Sequence, residues 1–141
     1  MLEFDNFHAL NPAAPKVLFS HNNYIRDHFN HGDDLDQYRG KKLVLLVRDP
    51  RDVAVSQYFQ WSYRMRPRKK ALNAYPAHGS EVAIYDFVRN PDCGIPRIVA
   101  AFNAWARSLP SLGEDVLVVR YEDLRRDPAE VLRQVVSFTG V

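Results

Sequence analysis

The chain has 141 residues, 46% of them hydrophobic and 12% aromatic, which is enough for one core of ordinary domain size and too apolar for a disordered chain. With 19 basic and 17 acidic residues the formal charge is +2, which argues against nucleic-acid or membrane binding by bulk electrostatics and leaves any anionic ligand to local geometry. Cys93 is the sole cysteine, so an intramolecular disulfide and a Cys-based metal cluster are excluded and a reducing compartment fits.

The opening stretch Met1–Pro12 has no basic segment followed by an apolar one, and no later apolar run approaches the roughly 20 residues that span a bilayer. The expectation is a soluble, cytoplasmic protein with a single domain over 1–141 and no membrane span. In chain order, Val17-Leu18-Phe19 reads as a short strand opening into the polar stretch Ser20-His21-Asn22-Asn23. Leu43-Val44-Leu45-Leu46-Val47 is continuously apolar, as a strand covered by helices on both faces requires. Asp49 then supplies an N-cap and Pro50 a first helical residue, which predicts a helix from about Pro50 to about Tyr63 with Val55, Tyr58, Phe59 and Ser62 on one side.

Pro67 and the basic cluster Arg64, Arg66, Arg68, Lys69 and Lys70 predict a polar loop continuing to about Gly79. Helical spacing resumes at Val82, Tyr85, Phe87 and Val88, stops near Asn90-Pro91, and returns in Ile98, Phe102, Trp105 and Leu109, ending before Pro110. Val116-Leu117-Val118-Val119 is a second apolar strand, followed at once by Arg120-Tyr121-Glu122-Asp123. Asp127, Pro128 and Glu130 start a last helix, whose stripe of Val131, Leu132, Val135, Val136 and Phe138 ends at Gly140. Strands alternate with helices, so the predicted fold class is α/β, a parallel sheet flanked by helices.

In such sheets ligands bind beyond the carboxyl ends of the strands, and three ends here are polar: Ser20-His21, Arg48-Asp49 and Arg120-Tyr121. A helix N-terminus after Arg48 would itself attract an anion. Asp49, however, can accept from those amides and Asp52 adds a second negative charge, so side chains must hold any anion there. Arg48 offers a planar cationic fork and Ser56 a hydroxyl that can point back toward the helix start. Two readings of Arg48 stand at this point: it grips a phosphate, or it pairs with one of the aspartates and Ser56 is an ordinary helix residue.

The run Lys42-Leu43-Val44-Leu45-Leu46-Val47-Arg48-Asp49-Pro50-Arg51-Asp52-Val53-Ala54-Val55-Ser56-Gln57-Tyr58 resembles the 3′-phosphate-binding segment of sulfotransferases that use 3′-phosphoadenosine 5′-phosphosulfate (PAPS). A second run, Val119-Arg120-Tyr121-Glu122-Asp123-Leu124-Arg125-Arg126-Asp127-Pro128, is similar to a later segment of that family. The resemblance implies that Arg48 and Ser56 bind the 3′-phosphate and that Tyr121 contacts the adenine side. Read without it, Tyr121 is a strand-end tyrosine with its hydroxyl satisfied locally.

The family's cytosolic members carry a catalytic His just after a strand, and Ser20-His21 resembles that placement, although Phe19 and Asn22-Asn23 depart from the usual neighbours. The resemblance thus implies that His21 removes the acceptor's proton, a task suited to an imidazole near neutral pH. A solvated or structural His21 is the other reading. No stretch before Val17 matches the family's N-terminal phosphate loop, and the chain stops at Val141 before the family's C-terminal basic segment. The expectation is an incomplete P-loop NTPase-like sulfotransferase fold, with a sheet edge for a second copy or a partner chain to cover.

The implied activity is sulfuryl transfer from PAPS, releasing adenosine 3′,5′-bisphosphate, to a hydroxyl or amine on a small-molecule, lipid or carbohydrate acceptor, with no metal and no nucleic-acid partner. The alternatives are a non-catalytic nucleotide-binding or assembly module derived from a sulfotransferase, and another phosphate-loop relative such as a nucleotide kinase.

Overall fold

The computed structural model describes residues 9–17, 38 and 40–140. In order, these form β1 (Leu43–Val47), α1 (Pro50–Tyr63), α2 (Pro67–Leu72), α3 (Ile84–Arg89), α4 (Ile95–Leu112), a 3-10 turn (Gly113–Asp115), β2 (Val116–Arg120), α5 (Tyr121–Arg126) and α6 (Pro128–Thr139). The two strands pair in parallel. The fold is therefore α/β, a small parallel sheet with flanking helices, as the alternation of strand and helix implies. Of the expected strand Val17-Leu18-Phe19, only Val17 is among the described residues, and it is exposed in irregular backbone.

Helix α1 starts where the sequence places it. Pro50 occupies its first position and Asp49 caps it, with the Arg51 N–H donating to Asp49 Oδ1 at 2.8 Å. Its buried stripe differs from the expected one: Ala54 and Trp61 are buried with Tyr58 beside them, while Val55 and Phe59 stay exposed. Spacing of four and seven residues around Tyr58 and Trp61 wins because those rings carry the larger apolar area.

The main core joins Trp61, Phe87 and Cys93, with Tyr58, Tyr75, Val82 and Val88 packed around them. Trp61 and Phe87 stack with centroids 5.2 Å apart, and Tyr58 meets Phe87 edge-on at 5.4 Å. Burying Phe87 alone stabilises the fold by about 1.5–3 kcal/mol. The polar tips of the cluster are satisfied: the Trp61 indole donates to Pro76 O at 2.9 Å and the Tyr58 hydroxyl to Val82 O at 3.2 Å.

Three expectations need correcting. The sheet is not covered on both faces among the described residues, since Leu46 is 55% and Val118 45% exposed. The polar loop after Tyr63 contains helix α2, because Pro67 at its first position fixes φ for a helical turn. Helix α4 runs through Pro110 to Leu112. A proline in the last turn removes one bond, to an Ala106 carbonyl on the exposed side, and Ser111 Oγ donates to Ser108 O at 2.7 Å before Gly113 closes the helix at φ 58°. Helix α6 keeps its expected ends, with Asp127 Oδ1 accepting from the Glu130 N–H and Gly140 in the left-handed region.

Candidate functional site

Register builds the site. The ladder pairs Leu43 with Val116 and Val47 with Arg120, a constant offset of 73 residues. Continued one step past the strands, that offset sets Arg48 beside Tyr121, and a second step sets Asp49 beside Glu122. Both pairs are in contact. The Arg48 guanidinium carbon lies 4.4 Å from the centroid of the Tyr121 ring, and the Asp49 N–H donates to Glu122 Oε1 at 3.0 Å. The carboxyl ends of two parallel strands thus converge on one polar cluster, the place where open α/β sheets take their ligands.

The carboxylates in this cluster are already engaged. The Arg51 guanidinium forks onto Asp49, with Nε donating to Oδ1 at 3.0 Å and Nη2 to Oδ2 at 2.6 Å. That fork, and then the Arg51 N–H, pull the Asp49 carboxyl down to about 2, and Asp49 raises Arg51 in return. The Asp49 N–H, and after it the N–H of Glu122 itself, hold Glu122 below its ordinary value. An anion placed on the first amides of α1 would have to displace Asp49, as the sequence suggests.

Arg48 is differently placed. Its one ion pair among the described residues is a 3.3 Å contact from Nη2 to Asp52 Oδ2, with side chains 32% and 59% exposed, a geometry that solvent screens heavily. Its Nε is buried and has no hydrogen-bond partner among the described residues. The guanidinium carbon lies over the Tyr121 face, a cation–π contact that helps to hold the group at the strand end. Of the two sequence readings of Arg48, the geometry shows the pairing with an aspartate, in a weak form, and it leaves the Nε donor without a partner among the described residues. The residues present fit an anionic ester.

Ser56 is exposed on α1, one turn beyond Asp52 and on the same side of the helix, since positions four apart align. His21 lies outside the described residues. Sequence reasoning overlooked Glu122; a signal for it exists in the acidic pair that follows β2, at the same offset from Asp49 as the strands are from each other. It also placed the basic run in a polar loop, whereas Lys70 is buried with its ammonium 5.0 Å from the centre of the Trp61 ring. Among the described residues, no group of three His, Cys, Asp or Glu is arranged to hold a metal ion. No helix among them is long and apolar enough to cross a membrane.

The fold and the site define a class: an α/β protein whose ligand-facing groups gather where parallel strands end. The family model for the sulfotransferase domain matches residues 37–141. The chain belongs to the sulfotransferase family, and both runs that carried the resemblance fall inside the matched stretch. No curated protein and no solved structure matches.

Proposed function

We propose that the chain is a transferase that moves a sulfuryl group from PAPS to a hydroxyl or amine of a small-molecule, lipid or carbohydrate acceptor in the cytoplasm. In this reading Arg48 and Ser56 hold the 3′-phosphate, Tyr121 lies against the adenine side, and adenosine 3′,5′-bisphosphate is the product. The bond between the sulfuryl sulfur and the 5′-phosphate oxygen breaks, a bond from sulfur to the acceptor atom forms, and the acceptor's proton leaves to a base. His21 is the residue assigned to receive that proton, on the sequence resemblance alone.

The observation that carries the reading is the Arg48 guanidinium, set over Tyr121 at a strand end and with its Nε unpartnered among the described residues. A phosphate offers a bidentate, fully charged partner, and the single exposed contact to Asp52 competes poorly with it. Fixing the phosphate far from the reacting centre orients the sulfuryl group, which is how binding energy remote from the chemistry accelerates transfer.

The test is turnover of radiolabelled PAPS with a panel of phenol, sterol, amine and sugar acceptors. Labelled product that disappears in both Arg48→Ala and His21→Ala supports the proposal. Tight binding of adenosine 3′,5′-bisphosphate without product from any acceptor would instead identify a non-catalytic module.

A further inference from the structure

A second cavity, of about 460 Å³, opens between the end of α1, helix α2 and the segment before α3. Neither Arg48, Ser56 nor Tyr121 lines it. Two of its lining groups lack what their chemistry demands. Lys70 is only 3% exposed, yet among the described residues no carboxylate pairs with it, and its ammonium rests on the Trp61 ring at 5.0 Å. An ammonium taken out of water without a counter-ion is costly, and one ring face offsets only part of that cost.

Ser62 Oγ, on the same cavity, is buried with no hydrogen-bond partner among the described residues. A serine inside a helix ordinarily donates to the carbonyl four residues back, here that of Tyr58, and this one does not. Both groups are donors without an acceptor. Glu81 is also on the lining, but it is exposed and makes no ion pair with Lys70. The remaining walls include the rings of Tyr58, Trp61 and Tyr63.

We propose that this cavity is a binding site for a small anion carried on an aromatic body, an aryl phosphate, sulfate or carboxylate whose oxygens accept from Lys70 Nζ and Ser62 Oγ while its ring lies against Trp61. The site rests on these residues and not on the PAPS reading. It stands or falls separately.

Phenyl phosphate is the probe, titrated against the full chain in a Trp105→Phe background so that Trp61 is the remaining tryptophan and can be excited selectively. A saturable change in Trp61 emission is expected, with affinity falling about tenfold or more in Lys70→Met and about threefold or more in Ser62→Ala. Arg48→Ala should leave it unchanged, which separates this cavity from the strand-end cluster. Lys70→Met should also keep or raise the Tm, because an apolar chain of similar length relieves an uncompensated buried charge. No saturable signal at tens of millimolar, equal affinity in Lys70→Met, or a signal lost in Arg48→Ala and retained in Lys70→Met would each overturn the proposal. So would a Lys70→Met variant whose Tm collapses, since the lysine would then be a structural group.

Discussion

Arg48 and Tyr121 are separated by the crossover between the two strands and by β2 itself, yet the guanidinium sits 4.4 Å from the ring centre. The parallel register brings them together, and the ring contact helps to hold a guanidinium whose only ion pair among the described residues is the weak one to Asp52. Tyr121→Phe keeps the ring face and should retain both the contact and nucleotide affinity. Tyr121→Ala should lose about 0.5–1 kcal/mol of stability and release Arg48 into several rotamers. Urea unfolding of the two variants, read beside nucleotide titrations, distinguishes a stacking role from a hydroxyl-mediated one.

Asp52 competes with any anion for Arg48. Replacing it with Asn keeps its size and removes the charge. Asp52→Asn is expected to tighten binding of adenosine 3′,5′-bisphosphate several-fold, as measured by calorimetry at low ionic strength. Weaker binding in this variant would mean that Asp52 orients Arg48 instead of occupying it.

Acid should loosen the strand-end cluster. Asp49 lies at about 2 in the folded chain against an ordinary 3.8, and Glu122 is also lowered from its ordinary 4.5. Groups depressed in this way stabilise the fold above their unfolded values and lose that contribution as pH falls through their folded ones. Tm is therefore expected to be insensitive to these groups from pH 7 to about 5 and to decline from there toward pH 2. Asp49→Asn retains a helix cap but not the Arg51 fork, so its acid decline should be shallower. Thermal melts of both proteins across that range check the sign.

Gly94 tests the packing of α3 against the start of α4. A Cβ at this position would run into the Val88 carbonyl oxygen, a backbone atom with nowhere to go. Gly94→Ala should destabilise the chain by about 2 kcal/mol, visible as a lowered urea midpoint with an unchanged slope.

Much of this was legible in the sequence where one strong local signal acts alone. Leu43–Val47 as a strand and Pro50–Tyr63 as a helix follow from an apolar run and an Asp-Pro start, and Asp127 and Gly140 mark both ends of α6. Short helices were harder. Helices α2 and α5 have six residues each and no side-chain cap, so no apolar period announces them, and Pro67 at the start of α2 reads equally well as a breaker after α1. The contact between Arg48 and Tyr121 was out of reach for a different reason. Both residues stood out, but two uniformly apolar strands do not specify their mutual register. Lys70 looks like its four basic neighbours in the sequence; its burial depends on α2 carrying it back onto Trp61.

The central claim is that Arg48 recognises a 3′-phosphate. Isothermal titration calorimetry with adenosine 3′,5′-bisphosphate, adenosine 5′-monophosphate and ATP, on the wild-type chain and on Arg48→Ala, addresses it most directly. The account predicts that the bisphosphate binds at least about tenfold more tightly than the other two and that this preference vanishes in Arg48→Ala. Equal affinity for the three nucleotides, tighter binding of ATP, or a preference that survives the substitution would contradict it.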